Sequence, residues 1–289
     1  MSDRIFIVGA GRAGRGLARA LRASGADVVG LHGTRANEEG GDEAVTAGGF
    51  PPAVGEATVL LVTVRDAQLD AALAQLADAE LGSGAVVLHA SGSADPPALT
   101  GLRQRGHPAG TFHPLVPLVD PARAPALLRG AWIGVDGDAA AVAAAERLAT
   151  RIDSSVLRIP PGEKARYHAA AVFAANFPTV LAAIASRLLD DAGVDAHAGW
   201  RALLVLMGAS VKNMSQRRPS DALTGPVVRG DVQTIAGHLV VLGDDPDALA
   251  AYRALSLSAV VLARGAGTDA AVLEEIARRL HEEVRSPAG

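Results

Sequence analysis

Arg4-Ile5-Phe6-Ile7-Val8-Gly9-Ala10-Gly11-Arg12-Ala13-Gly14 decides how the rest of the chain is read. A short β-branched run ends at Gly9, and Arg12 to Ala23 has helical composition. Between them lies G-x-G-x-x-G, directly after a predicted strand and directly opening a predicted helix. The first glycine permits a tight turn, the second lets a pyrophosphate approach the backbone, and the third lets helix and strand pack closely. A helix N-terminus adds unpaired N–H groups and the positive end of the helix dipole. Gly9, Ala10, Gly11, Arg12, Ala13 and Gly14 are therefore expected to hold dinucleotide phosphates. The alternative, a structural turn without a ligand, lacks a reason for this strand–turn–helix placement.

The end of the second predicted strand bears on which dinucleotide. A site for the cofactor without the 2′-phosphate usually carries Asp or Glu there, accepting from the ribose 2′-OH. This chain has Leu31-His32-Gly33-Thr34-Arg35 and no acid until Glu38. Thr34 can donate a hydroxyl and Arg35 can pair with a 2′-phosphate, so NADP(H) is expected. His32 is read as an adenine-stacking or phosphate-contacting residue. At the end of the next strand, Val64 and Arg65 are expected to touch the cofactor and Asp66 to cap the following helix.

Outward from that motif, Asp27–Leu31, Thr58–Val64, Ala85–His89, Ala109–Phe112, Ala131–Val135 and Ser155–Ile159 each read as strands. Helix-prone stretches such as Asp66–Ala79 and Ala139–Ile152 lie between most of them. After Pro160-Pro161-Gly162 the pattern becomes wholly helical, at roughly 163–192, 196–216, 228–243, 245–265 and 269–285. The predicted fold is α/β: a Rossmann-type, doubly wound, mostly parallel sheet over residues 1–159, followed by an all-helical C-terminal domain over 160–289. A chain of 289 residues is long enough for both, and function is expected in the cleft between them.

Composition narrows the function classes. A net charge of −4 gives no basic excess, which argues against nucleic acid. The chain has no cysteine, which excludes disulfides, thiolate metal sites and cysteine nucleophiles, and no metal centre is expected. A strand beginning within the first few residues leaves no room for a signal peptide. The apolar stretch Ala169–Ile184 carries Asn176 and Pro178 and is short for a membrane span, so a buried helix and a cytoplasmic protein are expected.

Hydride transfer requires a substrate held over the nicotinamide and a group that gives or takes a proton. Ser91, in His89-Ala90-Ser91-Gly92-Ser93, is either a substrate contact or part of a Ser/Gly turn. His113 ends the next strand, where it is either functional or simply packed. Lys164 and His168 are one turn apart on one face, near 6 Å along the axis. A first-turn lysine opposes the helix dipole, which hints at another purpose. Asn176 is two turns further on and shares that face only partly. Thr224 and Arg229, in Thr224-Gly225-Pro226 and Arg229-Gly230-Asp231, either contact a small-molecule substrate or turn the chain and cap the next helix.

Taken together, Gly9–Gly14, Phe112-His113-Pro114, the run Tyr167–Asn176 and Leu223–Pro226 with Arg229–Asp231 resemble a family that joins a Rossmann-like domain to a domain of unknown function, DUF2520. The resemblance spans nearly the whole chain. It is similar in layout to pyrroline-5-carboxylate reductases and β-hydroxyacid dehydrogenases, with a helical domain like the C-terminal one of 6-phosphogluconate dehydrogenase. It implies an NAD(P)-dependent oxidoreductase and a homodimer formed through the helical domain. Gly33-Thr34-Arg35 is similar to the NADP-selecting turn of the former group. The lysine-bearing helix start of the latter is only partly matched, because His168 follows Lys164 by four and no asparagine follows it by three. The leading expectation is an NADP(H)-dependent reductase of a small carbonyl or imine, with His168 as proton donor and Lys164 or His113 polarising the substrate. The competing expectation is a non-catalytic NADP(H)-binding sensor or scaffold.

Overall fold

Seven strands form where the short apolar runs occur: β1 (Arg4–Val8), β2 (Asp27–His32), β3 (Val59–Val62), β4 (Val86–His89), β5 (Ala109–Pro114), β6 (Trp132–Gly137) and β7 (Ser155–Arg158). The structure is a computed structural model that describes residues 3–37 and 44–282. All seven strands share one sheet in the order β2-β1-β3-β4-β5-β6-β7, parallel except between β5 and β6. The four residues of β3 are at most 1% exposed, since both faces of a parallel sheet are covered, and such strands read as unbroken apolar runs.

Helices α1 (Arg12–Ala23), α2 (Asp66–Asp78), α3 (Ala98–Gln104), α4 (Ala124–Leu128) and α5 (Ala139–Arg151) complete the wrapping. Leu17, Leu21, Leu128 and Leu148 from α1, α4 and α5 seal one face of the sheet with Ile5, Ile7 and Leu61. Leu69, Leu73 and Leu76 of α2 and Leu99 and Leu102 of α3 seal the other with Phe6, Leu60 and Val62. The two short helices α3 and α4 carry too few turns to announce themselves by periodicity. The chain leaves β1 for β2 on one side and returns to β3 on the other. The strand order therefore reverses at β1 and β3, and a crevice opens beyond their carboxyl ends.

The helices that follow are α6 (Lys164–Ala175), α7 (Phe177–Asp191), α8 (Ala196–Met214), α9 (Pro219–Ala222), α10 (Pro226–Arg229), α11 (Val232–Val241), α12 (Pro246–Gly265) and α13 (Ala270–His281). Two departures from the sequence reading have clear causes. The helix expected over 163–192 breaks at Asn176, because Pro178 restricts the residue before it and is tolerated only in a first turn. The helix expected over 228–243 is split by Gly230, which ends α10 at φ +68°. Asp231 then caps α11, accepting from the Thr234 N–H at 3.1 Å and hydroxyl at 2.7 Å.

The chain divides into two compact units, Met1–Pro178 and Thr179–Gly289. The first extends past the Pro-Pro-Gly at 160–162 because α6 stays with the sheet, tethered through Lys164 as described below. The second unit is helical throughout its described residues, around Ile235, Leu239, Val260, Leu273, Ile276 and Leu280. Ala169–Ile184, expected as a buried helix, is instead largely exposed in the single chain: Phe173 is 67% and Val180 53% accessible. Among the described residues, Lys164–Asp191 and Pro246–Gly265 are long and apolar enough to cross a membrane by length and composition.

Candidate active site

The turn after β1 is built almost entirely from backbone. Gly9 adopts φ +114° and donates its N–H to the His32 carbonyl at 2.8 Å. A Cβ on Gly14 would stand 1.8 Å from the Gly9 carbonyl oxygen, and one on Gly9 would stand 2.7 Å from the Thr63 backbone. Gly11, by contrast, faces open space. The Thr63 hydroxyl donates to the Gly9 carbonyl at 2.7 Å and ties the turn to β3. No side chain caps α1 at Gly11, and its first turn holds no acid. The N–H groups at the start of a helix have no intrahelical partner, so Arg12, Ala13 and Gly14 present donors at the positive end of the dipole. An open second glycine and an uncapped N-terminus suit a phosphate.

At the end of β2, Thr34 and Arg35 are exposed. Gly33 lets this strand end come close to the first turn, since a Cβ there would lie 2.9 Å from the Ala10 Cβ. His32 does not reach outward. It is 8% exposed, its Nδ1 pairs with the Thr46 hydroxyl at 2.9 Å, and its ring packs 4.9 Å from that of Phe50. Burial pushes its pKa down. The sequence reading has His32 stacking on adenine or contacting the phosphate; in the structure it fixes the strand end, because the imidazole is enclosed by Phe6, Thr46 and Phe50. Glu38, the next acid in sequence, lies outside the described residues. Beyond β3, Val64 is half-buried and Arg65 exposed. Arg65, not Asp66, is the capping position of α2; Asp66 occupies its first turn, where a carboxylate is favoured by the dipole.

A cavity of about 610 Å³ runs from Gly11, Arg12 and Ala13 past Thr63–Arg65 and Ala90 to His113, with Val116, Leu118 and Val119 as an apolar wall. His113 is near the end of β5, and α6 brings Tyr167 and His168 to it. The Tyr167 Oη is 2.7 Å from His113 Nδ1, and the two rings meet edge to face. The His168 ring centroid is 6.0 Å from that of His113. Gly92 makes this packing possible: a Cβ there would lie 2.7 Å from His113 Cε1 and 2.9 Å from His168 Nδ1. Gly134 does the same for the phenol, since its Cβ would stand 2.1 Å from the Tyr167 Oη.

Electrostatics keep His113 and Tyr167 uncharged near neutral pH. Burial, helped by the neighbouring His168, pushes His113 down to about 4, and burial pushes Tyr167 up to about 12. His89, sealed at the end of β4, is pushed down to about 4 by burial and then by the charge of Lys164. His168 Nδ1 and His89 Nδ1 are both buried without a hydrogen-bond partner.

The other expected site residues are placed differently. The buried Lys164 donates to the Ala94 carbonyl at 3.1 Å and to Asp95 at 2.8 Å, with Asp136 at 3.6 Å. That ion-pair set is the purpose its unfavourable first-turn position hinted at, and it staples α6 to the segment after β4. The Ser91 hydroxyl accepts from the Ala94 N–H at 3.1 Å, so it closes the Ser/Gly turn. Asn176 is exposed where α6 ends, about 12 Å along the axis from His168. Thr224 and Arg229 belong to the second unit and are exposed there, Thr224 just before the short α10 and Arg229 at its end. Thr63, Gly92, Gly134 and the Val116–Val119 wall had no role in the sequence reading, and Tyr167 had been placed only on the helix. Nothing in sequence spacing announces that residues 113 and 167 touch.

Comparisons with known proteins agree with this architecture. Residues 131–259 match the family model described as "Domain of unknown function (DUF2520)", which bears out the resemblance drawn from the sequence. A search of curated proteins returns no match. Among solved structures, the chain resembles a Bacteroides fragilis protein named as an NADP oxidoreductase, at 21% identity and TM-score 0.66, over 92% of this chain and 98% of that one. It also resembles Plasmodium falciparum pyrroline carboxylate reductase with NADP bound, at 9% identity and TM-score 0.57, over 96% and 98% of the two chains. A third is the Aspergillus terreus reductive aminase in complex with NADPH and ethyl levulinate, at 17% identity and TM-score 0.60, over 97% and 93%. The chain has a Rossmann-type fold followed by helices and carries a DUF2520 match over residues 131–259.

Proposed function

We propose that this chain is an NADP(H)-dependent oxidoreductase acting on a small organic substrate. The observation that carries the reading is the single cavity that joins the phosphate-binding turn at Gly11–Ala13 to His113. A dinucleotide with its phosphates on that turn extends along the carboxyl ends of the strands, and this cavity leads along the same edge to His113. Exposed Thr34 and Arg35, without an adjacent acid among the described residues, suit a 2′-phosphate. The NADP and NADPH in the structures of the Plasmodium and Aspergillus proteins point the same way. When bound, the reduced dinucleotide supplies hydride. His113 contacts the reacting group of the substrate, and His168 beside it is placed to carry the proton. Lys164 acts through the loop it holds.

The helical unit supports pairing with a second copy, because Val205, Val241 and Val261 are each more than 70% exposed in the single chain. A soluble cytoplasmic enzyme fits the interruption of Lys164–Asp191 by Asn176 and Pro178. Titration with NADPH and NADH, followed by cofactor oxidation against panels of carbonyl and imine compounds, tests the assignment. Preferential NADPH binding with turnover of any member supports it. Tight NADPH binding without turnover, together with indifference to His168→Ala, would establish the sensor reading instead. Equal affinity for the two cofactors would remove the role given to Arg35.

A further inference from the structure

The Tyr167–His113 contact fixes more than position. At 2.7 Å it is a hydrogen bond, and one of the two groups must donate. If His113 Nδ1 carried the proton, the phenolic hydrogen would need a second acceptor, and the Tyr167 Oη has no other partner among the described residues. The chemistry points in the same direction. A phenol is the stronger acid and an imidazole nitrogen the stronger base, so O–H to N is the favoured arrangement. A neutral imidazole that accepts at Nδ1 bears its hydrogen on Nε2. His113 Nε2 has no protein partner among the described residues and is not among the sealed, unpartnered atoms, while the residue lines the cavity.

We propose that Tyr167 locks His113 in its Nε2–H form, so that the site donates a hydrogen bond to a substrate carbonyl oxygen and selects aldehydes or ketones over protonated iminium compounds. This rests on the oxidoreductase reading of the same cavity. A carbonyl oxygen has lone pairs to accept the bond and becomes a better acceptor as hydride adds to carbon and negative charge builds on it. An iminium N–H has no lone pair to accept and would set two hydrogens against each other. Both groups keep these roles across neutral pH, since burial holds His113 down to about 4 and Tyr167 up to about 12. Tyr167 is thus a positioning residue, and Gly92 and Gly134 are the clearances that let it and the imidazole sit where they do.

Long-range ¹H–¹⁵N NMR of the full chain at pH 7 reads the tautomer without any substrate. The expected result is a His113 ring protonated at Nε2 only, unchanged down to pH 5. Tyr167→Phe is expected to give a tautomer mixture at His113, with NADPH affinity altered less than twofold. Gly134→Ala, which crowds the phenol from the strand side, should do the same. A wild-type ring protonated at Nδ1, or on both nitrogens, would overturn the proposal whether or not the protein turns over any compound. With NADPH, kcat/KM for simple aldehydes or ketones should exceed that for cyclic iminium compounds at least tenfold, and Tyr167→Phe should narrow that ratio. An iminium preference would overturn the substrate class, while absence of all turnover would count against the oxidoreductase reading and leave the tautomer to be decided by NMR.

Discussion

The turn after β1 and the imidazole cluster beside Gly92 share one cavity through His113, yet they are built in opposite ways. The turn uses six consecutive residues, and its working groups are backbone N–H donors and the absence of side chains. The cluster draws on four separate segments, with Gly92 after β4, His113 on β5, Gly134 on β6, and Tyr167 and His168 on α6. A site made of backbone tolerates changes that keep the turn and fails when a Cβ is forced into it. A site made of side chains from distant segments can lose its chemistry while the fold survives. Each region can be broken without the other, and that separation is testable.

The largest effect is expected in the turn. Gly14→Ala places a methyl 1.8 Å from a carbonyl oxygen that cannot move without shifting β1, and overpacking of this kind costs about 3 kcal/mol. Denaturant melts should show that loss, with NADPH binding abolished at temperatures where the variant is still folded. In the cluster, Gly92→Ala pushes on both imidazoles, and misplacement by about 1 Å is worth roughly a hundredfold in rate. kcat/KM should fall by that factor while NADPH affinity changes less than twofold; a parallel loss of cofactor binding would show the two regions to be one unit. His113→Leu should lose roughly a hundredfold as well, the usual cost of removing one donor to a developing oxyanion.

Acid should act on the cluster before the turn. His89 and His113 are held near 4 when folded but take a proton at the ordinary histidine pKa near 6.5 when unfolded. The unfolded state therefore binds more protons between those values, so stability is complete above about pH 6.5 and falls as pH drops towards 4. For the sealed His89, the loss between pH 7 and pH 5 is on the order of 2 kcal/mol. Urea titrations at the two pH values should show a smaller difference in His89→Gln than in the parent, and an identical difference would refute the assignment. The smallest effect falls at the rim of the cofactor region. Arg35→Ala should weaken NADPH about tenfold through one exposed charge-assisted contact and leave NADH unchanged, as isothermal titration would show.

The two regions also differ in how far they could be read from the chain. All seven strands are legible as short apolar runs, most clearly β3 and β4, where a sheet covered on both faces needs them continuous. The glycine turn is legible because its geometry is a backbone property that three glycines at fixed spacing encode. Lys164 reads from the sequence as a group that polarises substrate, whereas the ion pair it makes is with Asp95, 69 residues away. His32 was read outward because strand-end residues near a cofactor often are. Phe50 and Thr46, which enclose it, come from a segment whose approach to β2 has no local signature.

By itself, then, the sequence determined the strand–turn–helix unit, the alternation that wraps a parallel sheet, and the change to helices after residue 162. Each depends on neighbours within one or two turns of chain, where periodicity and glycine placement act directly. Only the tertiary structure decided that His113, not Lys164, faces the cavity, that Tyr167 holds it, and that two glycines from different strands make room for the pair. Those outcomes depend on which distant segments the sheet order brings side by side. A hydrogen bond between residues 54 positions apart is a consequence of packing, and no local pattern carries it.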